Sequence, residues 1–214
     1  MDRIVFEKVV PHVFRNADNM ISEVWNNEIM FEKNHLYLVE AASGKGKSTF
    51  CSYIIGYRYD YEGAILFDDV NVSTFRKSQW TGIRQVSISY LFQELRLFPE
   101  LTAFENVQIK NRLTGFKSKS EIELWFDRLG IRDKMHDKVD VMSYGQQQRV
   151  ALMRALVQPF DFILLDEPIS HLDDDNAAIM GDLLMEEAHK QEAGVIITSI
   201  GKHMCLDYEK IFKL

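Results

Sequence analysis

One segment of the chain carries the residue types of a phosphate-binding loop. Residues 41–49 read Ala-Ala-Ser-Gly-Lys-Gly-Lys-Ser-Thr and lie between a strand-like run, Leu36–Glu40, and a predicted helix over Lys47–Ile55. Glycines let such a loop curl so that successive backbone N–H groups face one anion, and the positive end of a helix dipole adds to that attraction. Lys47 would reach the β- and γ-phosphates of a nucleotide, and the Ser48 hydroxyl would ligate Mg²⁺. The predicted nucleotide-binding residues of this segment are Ser43, Gly44, Lys45, Gly46, Lys47, Ser48 and Thr49.

The alternative for this segment is an ordinary glycine turn in front of a helix. A preceding strand together with Gly-Lys-Ser-Thr favours phosphate binding over that alternative. One residue departs from the strict pattern, because Ala41 occupies the position of its first glycine. Alanine is small, so we expect this replacement to cause little loss of function.

A second candidate is a pair of adjacent carboxylates at the end of a buried strand. The apolar run Phe162–Leu165 is bracketed by Pro159 and Pro168, which favours a strand of a parallel sheet, and Asp166 and Glu167 follow it. The carboxyl ends of parallel strands form the ligand-binding edge of an α/β sheet. The first carboxylate would hold Mg²⁺ there, and the second would polarise the attacking water as a general base. The alternative is a solvated acidic turn. A phosphate-binding loop in the same chain favours the metal-binding interpretation over that alternative.

The elements that must position these residues follow an α/β pattern. Apolar strand-like runs alternate with helix-length amphipathic segments, which favours a mainly parallel sheet covered by helices. The clearest amphipathic helix is Asp173–Gln191, where small and apolar residues recur at spacings of three and four. Further strands are predicted at 63–68, 86–92 and 195–198, and further helices at 102–112, 120–129 and 145–157. We predict a single domain in which 1–94 and 145–214 form a nucleotide-binding core and 95–144 form an inserted helical subdomain.

Composition disfavours several classes of protein. The chain has 214 residues and a net charge of −7, which argues against broad nucleic-acid binding because that requires a basic surface. Its apolar runs are shorter than the roughly 20 residues of a membrane span, and no secretory signal is visible at its start. Its two cysteines, Cys51 and Cys205, form neither a disulfide framework nor a zinc site, which is typical of a reducing, intracellular compartment.

Two further segments connect both motifs to a known family. Residues 90–94 read Tyr-Leu-Phe-Gln-Glu, and residues 142–156 read Met-Ser-Tyr-Gly-Gln-Gln-Gln-Arg-Val-Ala-Leu-Met-Arg-Ala-Leu. In order and spacing, the four segments resemble the ATP-binding cassette (ABC) ATPases over essentially the whole chain. The run Met142–Gln146 corresponds to the family signature Leu-Ser-Gly-Gly-Gln, with Tyr144 in place of the first glycine. The resemblance implies a P-loop NTPase (RecA-like) core with a mainly parallel sheet, an N-terminal antiparallel β region and the inserted helical subdomain.

The resemblance also implies catalytic and metal-binding roles. Gln93 resembles the Q-loop glutamine, which contacts Mg²⁺ or the attacking water and senses the transmembrane partner. The predicted catalytic residues are Glu167, Gln93, Lys47 and Ser199, and the predicted metal-binding residues are Ser48, Gln93 and Asp166.

Other implied contacts lie on both sides of a nucleotide. Ser143, Gly145 and Gln146 would contact the γ-phosphate of ATP bound to the other subunit, and Ile169–Asp173 resembles the D-loop of the dimer interface. Phe14 falls where the family places an aromatic ring that stacks on adenine. The alternative for this residue is a core aromatic, since aromatic residues of strands are commonly buried.

One departure affects the expected mechanism. The family usually has a switch histidine just after the last sheet strand, and Ser199 occupies that position here. Serine is shorter and cannot carry a charge, although it could donate one hydrogen bond to the γ-phosphate. His203 and His171 are alternative sources of an imidazole, and each is also open to a purely structural interpretation. Together with Ala41 and Tyr144, this departure suggests slow hydrolysis or a site tuned for binding.

We therefore predict the ATP-binding and ATP-hydrolysing subunit of an ABC transporter, resembling the lipoprotein-releasing, MacB-type and FtsE-type cassettes. Two copies would enclose two Mg·ATP and drive a separate transmembrane permease from the cytoplasmic face of the membrane, with no role for nucleic acid. Leu95, Leu97 and Phe98 are candidates for the permease contact, and the alternative is that they pack inside the helical subdomain. The alternative function is an ATP-gated clamp or regulatory cassette with weak or no hydrolysis.

Overall fold

Two β-sheets and six α-helices make up the computed structural model, which describes residues 1–15, 21–42 and 44–214. The strands are β1 (Arg3–Pro11), β2 (Glu28–Glu32), β3 (Leu36–Glu40), β4 (Tyr61–Phe67), β5 (Val70–Asn71), β6 (Ile88–Leu91), β7 (Phe162–Asp166), β8 (Gly194–Ser199) and β9 (Lys210–Lys213). The helices are α1 (Lys47–Ile54), α2 (Lys77–Val86), α3 (Ala103–Asn111), α4 (Lys119–Arg128), α5 (Tyr144–Leu156) and α6 (Asp174–Lys190). The predicted strands and helices are therefore present, with their ends displaced by a few residues at most.

The larger sheet is parallel and buried on both faces. Its strand order is β6-β7-β8-β3-β9, and every residue of β7 and β8 is buried. Alternate residues enter two different cores, so that Ile163 packs on one side of the sheet and Leu164 on the other. This explains why the sequence shows continuous apolar runs here, since a strand buried on both faces has no polar side to display.

The smaller sheet is antiparallel and comes from the N-terminal part of the chain. Its order is β2-β1-β4-β5, and a register shift between Glu7 and Val10 lets β1 bend along β4. Phe6 stacks on Phe50 of α1 with ring centroids 5.2 Å apart, which fixes this sheet against the helix that follows the phosphate-binding loop. The expected N-terminal antiparallel region is thus confirmed.

Helices α3 and α4 lie within the segment 95–144. Ser118 and Thr102 each cap a helix through a reciprocal capping box, which satisfies N–H groups at the helix start. Leu95 is buried in the main core, Leu97 is partly buried against it, and Phe98 is 48% exposed. Leu95 therefore follows the packing alternative, and Phe98 stays a candidate for contact with a permease. That 95–144 forms a distinct subdomain stays a prediction.

Helix α6 has the face predicted from its periodicity. Asp173 caps its first turn by accepting the N–H of Asn176 at 2.8 Å, and the spaced residues Ala177, Met180, Leu184 and Ala188 are all buried.

In the part of the chain that the structure describes, no helix has the length and apolarity needed to cross a membrane.

Candidate active site

The phosphate-binding loop joins β3 to α1 and depends on two glycines. Gly44 and Gly46 have φ of 78° and 102°, in the left-handed region that favours glycine. A Cβ on Gly46 would also lie 3.0 Å from the Phe14 ring. Ala41 is not among the described residues with positive φ, so this departure from the motif is accommodated without left-handed strain. Ser43 lies outside the described residues.

The side chain of Lys47 is buried across this loop. Its Nζ donates to the carbonyl oxygens of Ala41 and Ala42 at 3.0 and 3.3 Å and lies 3.5 Å from Oε1 of Glu167. The lysine therefore links the loop to the second predicted motif. A cavity of about 510 Å³, called the phosphate cavity below after its predicted ligand, opens beside Lys47. Its lining includes Phe14, Gly44, Gly46, Lys47, Ser48, Thr49, Gln93 and Glu167. A separate cavity of about 420 Å³, beside His35 and Cys205, is lined by none of the predicted residues.

Asp166 ends β7 and accepts hydrogen bonds from three hydroxyl groups. Its Oδ2 accepts from Ser48 Oγ at 3.0 Å and from the Tyr90 hydroxyl at 3.2 Å, and its Oδ1 accepts from Thr198 Oγ1 at 2.5 Å. The carboxylate is 1% exposed, so these donors replace water as its partners. Burial is the main cause of the raised pKa of Tyr90, which keeps the phenol protonated as a donor.

Tyr90 and Thr198 were not predicted as site residues. The signal for Thr198 is its register, because it pairs directly with Asp166 across β7 and β8. The strand register is a property of the folded sheet, so single-strand patterns do not identify this contact. Tyr90 lies on β6, shortly before Gln93. Its hydroxyl contacts Asp166 because β6 pairs with β7 in the folded sheet, and this pairing is not visible in the local sequence.

Glu167 faces both Lys47 and Gln93. Gln93 Nε2 donates to Oε2 at 3.4 Å, and the backbone of Glu167 has a φ of 52°, an uncommon conformation for a residue with a side chain. Burial raises the pKa of the Glu167 carboxyl, Lys47 opposes the rise, and Asp166 adds to it. A partly desolvated carboxylate at this place suits a general base, because its raised pKa makes it a better proton acceptor.

Phe14 lies in a short 3₁₀ turn after β1 and is half-buried. Its ring lines the phosphate cavity and also packs against the core of the antiparallel sheet. Phe14 is therefore both at the cavity, where an adenine contact was predicted, and against the core, as in the alternative interpretation. Lys45 is exposed and does not line this cavity in the described structure.

The signature residues cap helix α5. Ser143 Oγ accepts the N–H of Gln146 at 3.3 Å, and Gln146 Oε1 accepts the N–H of Ser143 at 2.9 Å. A Cβ on Gly145 would lie 3.1 Å from Leu172 Cδ2, so glycine keeps this helix close to the loop after β7. Among the described residues, the lining of the phosphate cavity does not include these three signature residues.

Tyr144 connects the signature to two other motifs. Its hydroxyl donates to the backbone carbonyl of Gln93 at 3.1 Å, and its ring meets the edge of His171 at a centroid distance of 4.5 Å. Burial raises the pKa of the Tyr144 hydroxyl, which stays a donor at neutral pH. The residue that departs from the family pattern thus makes contacts that a glycine could not make.

Ser199 ends β8 and is 3% exposed. Its Oγ donates to the carbonyl of Lys202 at 2.5 Å and accepts the N–H of Gly201 at 3.1 Å, so the hydroxyl is used within a turn. His203 Nε2 lies 3.4 Å from Glu40 Oε1, and His171 Nδ1 lies 2.9 Å from Ser170 Oγ. Neither histidine lines the phosphate cavity in the described residues.

Comparison with known proteins places these motifs in one family. Residues 26–170 match the family model described as ABC transporter. The chain is 37% identical over 175 residues to an uncharacterized ABC transporter ATP-binding protein, YclH of Bacillus subtilis, which covers 80% of this chain and 76% of that protein. It is 29% identical to the lipoprotein-releasing system ATP-binding protein LolD of Saccharophagus degradans, over 79% of this chain and 76% of that protein.

Solved structures of the same kind share the fold. The dimeric bacterial ABC transporter cassette MJ0796 superimposes with a TM-score of 0.77 and 26% identity, over 92% of this chain and 87% of that chain. A post-hydrolysis dimer of that cassette bound to ADP and Pi gives a TM-score of 0.74 and 25% identity, over 93% and 88% of the two chains. The predicted P-loop NTPase fold, with a parallel sheet and an N-terminal antiparallel sheet, is confirmed. By its motifs, its fold and its relatives, this chain belongs to the ABC transporter family of ATP-binding cassettes.

Proposed function

We propose that the chain is the ATP-binding and ATP-hydrolysing subunit of an ABC transporter. The observation that carries the proposal is the meeting of Ser48 with Asp166, 118 residues away in sequence, and of Lys47 with Glu167 at the same place. These are the residue types that bind nucleotide phosphates, hold a divalent cation and activate water. The relatives named as transporter ATP-binding proteins support this function over the alternative of an ATP-gated clamp.

In this proposal the chain binds ATP along its phosphate cavity. The N–H groups at the start of α1 and the Lys47 ammonium contact the phosphates, since a helix N-terminus and a lysine both attract anions. Thr49, which lines the same cavity, adds a hydroxyl to this end of the helix. Phe14 packs on the adenine ring at the edge of the cavity.

Ser48 and Asp166 fit a magnesium ion. Mg²⁺ prefers oxygen ligands and is usually held by one or two protein groups together with substrate phosphates. The Ser48 hydroxyl and the Asp166 carboxylate are 3.0 Å apart. No group of three or more His, Cys, Asp or Glu side chains is arranged to hold a metal ion within the described ranges, which agrees with an ion shared with the nucleotide. When bound, Mg²⁺ would neutralise charge on the phosphate oxygens. Gln93 would contribute a further ligand to the ion.

Hydrolysis then uses Glu167 as the base. A water oxygen forms a bond to the γ-phosphorus, the bond to the β,γ-bridging oxygen breaks, and ADP leaves with that electron pair. The proton of the attacking water passes to Glu167, and Gln93, which donates to the same carboxylate, orients the water. Positioning and charge stabilisation supply most of the rate enhancement in such reactions.

We further propose that two copies complete each site. Ser143, Gly145 and Gln146 do not line their own chain's phosphate cavity in the described structure, so they are free to contact ATP bound to a partner. Helix α5 begins at these residues, and its N-terminal N–H groups suit the γ-phosphate. The related cassette MJ0796 was solved as a dimer, which supports the same arrangement here.

The permease would contact the surface around Phe92 and Phe98. A cavity of about 160 Å³ between the end of α1 and β6 has Tyr57, Arg84 and Phe92 in its lining. The apolar side chains of Phe98 and Leu113 are exposed. Exposed apolar side chains suit a protein partner. Through this contact the chain would work at the cytoplasmic face of a membrane.

The first test is steady-state ATP hydrolysis by the purified chain with Mg²⁺. We expect turnover in the natural chain, loss of turnover with retained ATP binding in Glu167→Gln, and no change in the control Glu28→Gln on β2. ATP binding without turnover, even with the permease, would favour the ATP-gated clamp. Failure to bind ATP would overturn the proposal.

A further inference from the structure

The turn after β8 carries a lysine that lines a cavity together with Glu167, the proposed base. Ser199 closes this turn through its hydroxyl, and Gly201 gives it a φ of 112° that other residues rarely adopt. The side chain of Lys202 leaves the turn toward the loop between β7 and α6. The sequence pattern did not single out Lys202, because it lies three residues beyond the position where the family has its histidine.

Lys202 joins the loops that follow two neighbouring strands. Its Nζ donates to the backbone carbonyl of Leu172 at 2.6 Å and lies 3.4 Å from Asp174 Oδ1. Its side chain is nearly half exposed, so the ammonium is held by the loop without being locked in the interior. Lysine has a flexible four-carbon stem, which lets its charge change partners at small cost.

The cavity next to Lys202 adjoins the phosphate cavity. A space of about 150 Å³ is lined by Glu167, Ser170, Ser199, Ile200 and Lys202. Glu167 and Ile200 also line the phosphate cavity, so the two spaces meet at the proposed base. Lys47 is the cation on one side of Glu167, and Lys202 is a cation that shares a cavity with it on another side.

The γ-phosphate gains from a second cation at this place. Its oxygens carry negative charge that positioned lysines and arginines stabilise in phosphoryl transfer. The hydroxyl of Ser199 is occupied within its turn, and, among the described residues, neither His203 nor His171 lines the cavity that Lys202 shares with Glu167. Lys202 is the side chain of this turn that brings a full charge to the Glu167 cavity.

We propose that Lys202 supplies the cationic contact to the γ-phosphate of ATP from the end of β8. This inference rests on the proposed ATPase function and extends it. Lys202 neither gains nor loses a proton in the step: the water proton still goes to Glu167, and the electron pair of the broken bond still goes to ADP. Its contribution is charge at the γ-phosphate, so it acts on ATP and leaves ADP binding unaffected.

The test compares the affinities of the full chain for Mg·ATP and Mg·ADP. Measured in the Glu167→Gln background, which prevents hydrolysis, we expect Lys202→Met to weaken ATP binding roughly tenfold, as for loss of a hydrogen bond to a charged group. ADP binding should not change, and Lys202→Arg should keep most of the ATP affinity. The control is Lys210→Met on β9, whose ammonium packs over Phe212 away from this cavity.

A second variant separates contact with ATP from a purely structural role. If Lys202 acts on the γ-phosphate, adding Ser199→His to Lys202→Met should restore much of the ATP affinity, because an imidazole then reaches the same oxygen. A role limited to holding Leu172 would lower ATP and ADP binding together, and Ser199→His would not restore either. Equal or absent effects of Lys202→Met on the two nucleotides would overturn the inference. Loss of all nucleotide binding in the chain with natural Lys202 would instead overturn the proposed function.

Discussion

Removing one hydroxyl from the neighbourhood of Asp166 should weaken magnesium binding. In Tyr90→Phe, Oδ2 of Asp166 loses a donor at 3.2 Å and keeps the Ser48 hydroxyl at 3.0 Å. A hydrogen bond to a charged group contributes about 1.5–3 kcal/mol. Loss of a residue that orients a metal ligand usually lowers metal affinity about 10- to 100-fold. We therefore expect the Mg²⁺ concentration for half-maximal turnover to rise at least about tenfold.

The assay is a Mg²⁺ titration of ATP hydrolysis at saturating ATP, with ATP binding measured separately without metal. Tyr61→Phe is a matched control, since the Tyr61 hydroxyl is buried with no hydrogen-bond partner among the described residues. Its removal should leave the Mg²⁺ requirement unchanged and cost little stability, because no hydrogen bond is lost. An unchanged Mg²⁺ requirement in Tyr90→Phe would refute the role assigned to Tyr90. A loss of metal-free ATP binding would show that the substitution acts on the fold instead.

Three further predictions concern the loops around the site. Tyr144→Phe should lower turnover roughly two- to tenfold without changing ATP affinity, because the Gln93 carbonyl loses its donor, and hydrolysis equal to that of the natural chain would contradict this. Gly46→Ala should weaken ATP binding at least about fivefold in an equilibrium assay, since alanine at φ 102° is strained by about 1–2 kcal/mol and its Cβ meets the Phe14 ring. The pH profile of kcat/KM should fall on the acidic side, with its limb above the ordinary glutamate value of about 4.3, because Glu167 must be ionised to act and its pKa is raised. A limb at or below that value would argue against Glu167 as the base.

The sequence is most informative where one local pattern determines one element. The apolar run at Phe162–Leu165 and the spaced residues of α6 are found as predicted, since burial on both faces and a 3.6-residue period leave direct signals. Helix α2 was not predicted, because Lys77–Val86 contains Gly82 and has only one buried side chain, Trp80. Trp80 packs against Phe67 and Phe75, which lie outside the helix, and a local pattern does not contain these contacts.

The residues of the candidate site also differ in how well a local sequence pattern identifies them. The residues proposed to bind phosphate lie in one loop, so their spacing is enough to predict them. Tyr90, Thr198 and Lys202 are brought to Asp166 and Glu167 by strand register and by loops that meet only in the folded chain. The roles proposed for the signature require a second copy, and a single sequence does not describe how two copies meet.

One ion pair links the helical segment to the far end of α6. Lys117, just before α4, lies 2.6 Å from Oε2 of Glu187, and both side chains are buried. Arg128 at the end of α4 pairs with the adjacent Glu186. Salt screens buried pairs much less than exposed ones, so we expect this connection to persist at high ionic strength.

Helix α6 therefore connects these ion pairs, near its C-terminal end, with the loop that precedes its first turn. Its 17 residues span about 25 Å, from the ion pairs to the loop that holds Leu172 and the Lys202 ammonium. We expect a displacement of α4 to move α6 as a unit, since a helix transmits motion along its axis with little bending. If a permease displaces α4, as the proposed function allows, the displacement would reach the loop beside the proposed γ-phosphate site through the helix itself, without any change in the bound nucleotide.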